Sequence, residues 1–202
     1  YILYSGEKNS LDTIIPSNIE CISVEEHLFK QIPSIKTSSG VIAVVAMPHK
    51  ETLFNTSAKK VVLLHDINKP SNVGAIIRNA VAFNIDAVVV TKHCADIFHP
   101  ESIRASAGSI TELPVYTLSD TVTLNQLSQF KSFYLDSNAK KTMPHKESYE
   151  QELYIFGSEM GYDKVLSPIL NNATGLRIDQ SKAVDSLNVA VSSGIFLYYS
   201  NA

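Results

Sequence analysis

From Lys60 onward, short unbroken apolar runs alternate with stretches of helical spacing. Val61-Val62-Leu63-Leu64 and Ala87-Val88-Val89-Val90 carry no polar position, the pattern of strands buried on both faces. Between them, residues 71–83 place Val73, Ile76, Ile77, Ala80 and Val81 on one helical face, with Ser71 or Asn72 as the expected N-cap. Further strands are predicted at residues 133–135, 153–156 and 175–178, and residues 186–199 are predicted to close the chain as a helix. Strands separated by helices predict an α/β class with a mainly parallel sheet. Ligands of such sheets sit beyond the carboxyl ends of the strands.

Before Lys60 the pattern is thinner. Residues 24–31 read as a helix, and Ser38-Ser39-Gly40 leads into the apolar run 41–47, which reads as a buried strand. This piece is too short to hold a good core alone; it is a truncated small domain or packs on the larger C-terminal part of the chain. The polar stretch 48–59 reads as a linker. The expected division is therefore a small domain at 1–47, a linker at 48–59 and the main domain at 60–202. The chain opens at Tyr1 without Met, directly in a strand-like run, as a fragment would.

Composition narrows the class. With 202 residues, 45% of them hydrophobic and 18% charged, the chain carries enough apolar surface for a packed core and is not a disordered one. A net charge of −3 is unlike a generic nucleic-acid binder, but a local basic patch docks phosphates on an acidic protein as well. Two lone thiols, Cys21 and Cys94, make no disulfide framework and point to a reducing, cytoplasmic setting. No run reaches transmembrane length and no secretory start is visible, so no membrane partner is expected.

Three stretches could carry chemistry. Asn72-Val73-Gly74-Ala75-Ile76-Ile77-Arg78 follows a strand and opens a helix; free N–H groups there suit an anion, and Gly74 lets a backbone or a ligand come close. Asn72 and Arg78 share no helical stripe, but both could face one site if Asn72 lay in the preceding loop. Phe156-Gly157-Ser158-Glu159-Met160-Gly161 follows an apolar strand; its glycines make a tight loop with open backbone amides, without the spacing of the dinucleotide-binding fingerprint. Ser186-Leu187-Asn188 precedes small residues that allow close packing. Alone, each fits a duller account: a capped helix with a surface arginine, a plain turn, a capped core helix.

Together, in this order, the three resemble the motifs of the SpoU/TrmH RNA 2′-O-ribose methyltransferases of the SPOUT superfamily. Asn72, Gly74 and Arg78 match the first motif, Gly157, Glu159 and Gly161 the second, and Ser186, Leu187 and Asn188 the third. Arg104-Ala105-Ser106-Ala107-Gly108 is similar to the family's stretch between the first two. The resemblance covers about residues 60–202, and the first segment is similar to the end of the family's L30e-like substrate-binding domain. Two departures stand out. Asp179-Gln180-Ser181-Lys182 stands where the family carries Pro-Met-x-Gly, which puts cofactor affinity in doubt, and Asn84 stands where a glycine is common.

The resemblance implies a SPOUT fold with a C-terminal trefoil knot, a homodimer, and S-adenosylmethionine as cofactor, with backbone contacts from Gly157, Ile178 and Leu187. It implies methyl transfer to a ribose 2′-hydroxyl of structured RNA, ribosomal RNA before transfer RNA. Arg78 is then cast as the catalytic residue, with Asn72, Glu159, Ser186 and Asn188 orienting the ribose and Arg78. An arginine is a poor base, so a clamp on phosphate and on developing alkoxide charge suits it better. The competing reading is a non-catalytic RNA-binding relative. A phosphate-binding NTPase lacks its glycine-lysine loop, and no hydrolase triad surrounds Ser106 or Ser186. The segment 93–99 holds His93, Cys94, Asp96 and His99 but not the repeated pairs of a zinc site, so no metal is expected.

Overall fold

The computed structural model describes residues 1–6, 15–32, 40–46, 57–118, 121–143, 149–157, 162–181, 183–184 and 186–201. The chain divides into two compact units, Tyr1–His49 and Lys50–Ala202.

In the first unit β1 (Ile2–Tyr4) lies between parallel β2 (Cys21–Ser23) and, after α1 (Glu26–Phe29), antiparallel β3 (Val41–Ala43). Helix and strand are both shorter than the pattern predicts. The helix expected over 24–31 spans four residues, and the strand expected to be buried over 41–47 is half-exposed and stops at Ala43. Three short strands leave little to cover a second face, and Val45 is 78% exposed.

The second unit contains β4 (Lys60–His65), α2 (Pro70–Ala82), β5 (Ala87–Thr91), α3 (Pro100–Ser106), β6 (Val115–Leu118), α4 (Thr121–Leu127), β7 (Lys131–Leu135), β8 (Lys141–Thr142), β9 (Glu152–Gly157), α5 (Ser167–Leu170), β10 (Thr174–Arg177) and α6 (Val189–Asn201). The sheet order is β6-β5-β4-β9-β7-β10-β8, and every pairing is parallel. The mainly parallel α/β sheet expected from the sequence is present. At its centre β4 and β9 pair over their full length, Lys60 opposite Glu152 and His65 opposite Gly157. One core packs on each face, the first on Val62, Leu64, Ile76, Ile77 and Phe196, the second on Val61, Leu63, Leu127, Leu153 and Ile155. Each such side chain contributes about 1.5–3 kcal/mol through burial.

Several boundaries differ from the pattern, each for a local reason. Ala58 is buried, and the N–H groups of Lys59 and Lys60 both donate to Asp86 Oδ2, at 2.7 and 2.9 Å, so the end of the expected linker is bound in at the amino ends of β4 and β5. The helix α2 begins at Pro70, not after a Ser71 or Asn72 cap; proline supplies the fixed φ and lacks an N–H that would go unused there. Asn72 therefore sits inside the first turn rather than in the preceding loop. The helix α6 starts at Val189, three residues later than expected, because Asn188 caps it: its Oδ1 accepts the Ala190 N–H at 2.9 Å. Gly74 serves a backbone approach, since a Cβ there would stand 2.0 Å from the carbonyl oxygen of Ser102 on α3. Asn84 takes φ 53°, the left-handed conformation that asparagine tolerates best after glycine.

Candidate active site

The strand order reverses between β4 and β9, and the carboxyl ends of β4, β9, β7 and β10 meet there. A cavity of about 730 Å³ opens at this point, where parallel sheets place their ligands and within the size range of small-molecule sites.

Asp66, the residue after β4, forms one wall. It holds φ 53°, a conformation costly for a non-glycine residue, and is fixed from β5: its N–H donates to Thr91 Oγ1, and the Thr91 hydroxyl donates to Asp66 Oδ1, both at 3.1 Å. Behind it His65 is 4% exposed. Its Nε2 accepts the Asp163 N–H at 3.1 Å, tying the end of β4 to the segment beyond β9. Its Nδ1 is buried without a hydrogen-bond partner among the described residues.

A second wall is aromatic. Tyr134 and Tyr162 line the cavity and meet edge to face at 5.6 Å. Gly157 seats one ring, since a Cβ there would fall 2.6 Å from Tyr162 Cε1, and Gly175 seats the other, at 2.9 Å from Tyr134 Cζ. Burial, then Tyr134 and Asp136, pushes the Tyr162 hydroxyl well above the usual tyrosine range.

The mouth is bordered by Ser186, Leu187 and Asn188, just before α6. Asn188 Nδ2 donates to Asn72 Oδ1 at 3.1 Å, joining the first and third sequence motifs. Asn79, about two turns further along the same face of α2, donates to Ala190 O at 2.8 Å and Ser193 Oγ at 3.0 Å, which holds α2 and α6 together beneath the pair. After β10, the Arg177 guanidinium donates to Asp179 Oδ1 at 3.1 and 3.2 Å and to Ala139 O at 3.4 Å.

Of the residues expected from sequence, Asn72, Gly157, Ile178, Ser186, Leu187 and Asn188 all line this cavity. Arg78 does not: it is exposed on α2, and six residues of helix set it about 120° around the axis from Asn72. Glu159 lies outside the described residues. The pattern missed Asp66, Asp136, Tyr134 and Tyr162. Both aspartates directly follow a strand, so the carboxyl-end rule alone would have found them.

The residues of the 93–99 segment have structural partners: Cys94 Sγ donates to Leu64 O at 3.3 Å, Asp96 O accepts the Ser102 hydroxyl at 2.8 Å, and His99 Nδ1 accepts the Glu101 N–H at 3.2 Å. Among the described residues no three His, Cys, Asp or Glu side chains gather to hold a metal, and no helix is long and apolar enough to cross a membrane.

The profile of the SpoU rRNA methylase family matches residues 59–198. The chain belongs to this family. It is accordingly an RNA methyltransferase. Among its relatives is the 23S rRNA (guanosine(2553)-2′-O)-methyltransferase RlmP of Bacillus subtilis, 28% identical over 195 residues, 93% of this chain and 77% of that protein. An uncharacterized tRNA/rRNA methyltransferase of Borreliella burgdorferi is 30% identical over 156 residues, 73% of this chain and 68% of that protein. Among solved structures, the SpoU methyltransferase AviRb from Streptomyces viridochromogenes in complex with AdoMet has a TM-score of 0.81 at 22% identity, over 98% of this chain and 80% of that one. At that identity the likeness shows the shared fold.

Proposed function

We propose that this SpoU-family chain binds S-adenosylmethionine in the cavity and transfers its methyl group to a ribose 2′-hydroxyl of structured RNA, ribosomal RNA in the first instance. The observation that carries this reading is the Asn188–Asn72 hydrogen bond at the cavity mouth, which places the first and third motifs at one point. The cavity fits the cofactor in size and in lining: an aromatic wall, apolar Ile178 and Leu187, and a few polar groups at the rim. The rRNA preference rests on RlmP, a 23S rRNA 2′-O-methyltransferase.

Bound, the cofactor supplies a methyl group on a positively charged sulfur, already activated for in-line displacement. The chain's own task is alignment and management of the hydroxyl proton. The Asn72–Asn188 pair and Ser186 orient the ribose, joined by Glu159. Arg78 holds a phosphate and the charge developing on the ribose oxygen. It does so from the partner of a homodimer, because within its own chain it faces away from the cavity. An interface is supported by α6, where Val191 and Tyr198, seven residues apart, are 52% and 57% exposed on one face. The C-terminal knot is supported by β10, which lies between β7 and β8 although those two are consecutive. The first unit is an L30e-like substrate-binding piece, and the compartment is the cytoplasm.

Calorimetry in chelator tests the cofactor, and mapping of alkali-resistant linkages in ribosomal RNA from cells with and without the gene tests the product. Methylated ribose resists alkaline cleavage because its 2′ oxygen no longer attacks the adjacent phosphate. No binding at millimolar cofactor would favour the non-catalytic RNA-binding alternative. A mark on a base, at a linkage still alkali-labile, would refute the ribose assignment.

A further inference from the structure

One corner of the cavity has a chemistry that none of the three motifs supplies. Tyr134 and Tyr162 are seated there because β9 and β10 omit side chains at Gly157 and Gly175. Asp136 joins them and is fixed by its backbone: its N–H donates to Leu176 O at 3.0 Å, and its Oδ1 accepts the Asn138 N–H at 2.8 Å. Burial, together with Tyr134 and Asp136, keeps the Tyr162 hydroxyl protonated, and the two rings and the Asp136 side chain share the corner. Across the described lining, Asp66 and Asp136 face a single basic side chain, Lys69, which stands exposed at the start of α2.

Two tyrosine rings and an aspartate lining one corner of a cavity favour a weakly hydrated cation. A trialkyl sulfonium is such a cation; the thioether left after methyl transfer is neutral. Building on the cofactor reading above, we propose that Tyr134, Tyr162 and Asp136 bind the positively charged sulfur of S-adenosylmethionine and make the cavity discriminate against the demethylated product. Transfer of the methyl carbon leaves the C–S electron pair on sulfur and cancels its charge, so the attraction ends with the reaction and the product is released.

The test compares binding of S-adenosylmethionine and S-adenosylhomocysteine to the full chain by calorimetry in chelator. Wild type should prefer the sulfonium by about tenfold, the worth of one desolvated cation–π or charge contact. Asp136→Asn and Tyr134→Leu should each cut that preference to about twofold or less, while Tyr134→Phe, which keeps the ring, retains it. Thermal melting checks the fold of each variant; should Tyr134→Leu fail to fold, Asp136→Asn and Tyr134→Phe decide. Equal affinity of wild type for the two ligands overturns the proposal, as does equal weakening of both by Asp136→Asn. Wild type that binds neither ligand overturns the cofactor reading itself, and this inference with it.

Discussion

Asn188 donates its side-chain amide to Asn72 Oδ1 while accepting the Ala190 N–H on its own Oδ1. One side chain thus caps α6 and reaches across 116 positions of sequence to the first turn of α2.

The two roles separate by substitution. Asn188→Asp keeps the acceptor that caps α6 and loses the donor that reaches Asn72. Its stability in urea should stay within about 0.5 kcal/mol of wild type, while methyl transfer falls by about a hundredfold, the cost of a misplaced reacting group. Asn188→Ala should lose both the activity and about 1 kcal/mol of stability. An aspartate variant with full activity would remove the amide from the site.

Mixed dimers test whether the active site is shared. Arg78→Ala and Asn188→Ala homodimers should be nearly inactive. Random exchange of equal amounts makes half the dimers mixed, each with one intact site if Arg78 acts across the interface, so roughly a quarter of normal activity returns. Mixed dimers confirmed by two tags and still inactive would place both residues in a site within one chain.

Gly74→Ala puts a methyl 2.0 Å from a backbone carbonyl oxygen, and neither atom belongs to a flexible side chain. The helices α2 and α3 must part, at a cost of at least about 1–3 kcal/mol. A thermal melt should show the loss, and activity should fall with it, since Asn72 is two residues away. An unchanged melting temperature would mean that α2 and α3 are not so close.

Alkaline stability reports on two buried hydroxyls. Tyr154 is raised by burial and then by its hydrogen bond to Glu152, and Tyr162 by burial, Tyr134 and Asp136. Both keep their protons in the folded chain at pH values where the unfolded chain has released them. Their stabilisation is therefore complete below about pH 10 and is lost as pH rises above it, at about 1.4 kcal/mol per pH unit for each group. The Tyr162 hydroxyl bond to Ile155 O is long, at 3.5 Å, so Tyr162→Phe should change little at pH 7 yet flatten the alkaline decline by one group's share. Urea midpoints from pH 8 to 11 measure this; equal slopes in the two proteins count against it.

Much of this site was legible in the sequence because its residues stand at the ends of elements that hydrophobic pattern marks well. The apolar runs at Val61 and Leu153 locate β4 and β9, and the motif residues follow them or open the helices. What the pattern could not give is spatial. Nothing in the spacing of Asn72 and Asn188 says that they touch, and nothing in the pattern marks Tyr134 and Tyr162, which Gly157 and Gly175 seat in a cavity wall. The strands β6 and β8 were missed for a different reason: at the sheet's two edges, with half-exposed or exposed positions, they lack the apolar run that betrays a central strand.

Strand order also sets a schedule. The consecutive strands β7 and β8 have no ladder with each other; β10 fills the lane between them, with Leu176 opposite both Leu135 and Lys141. The two-residue β8 has its ladder with β10, so it joins the sheet only once residues made later have paired with β7. The ligand-binding wall at Leu176 and Ile178 is thus among the last parts to form, and a nascent chain ending before β10 cannot capture its ligand early, however well β4, β5 and β6 have already paired.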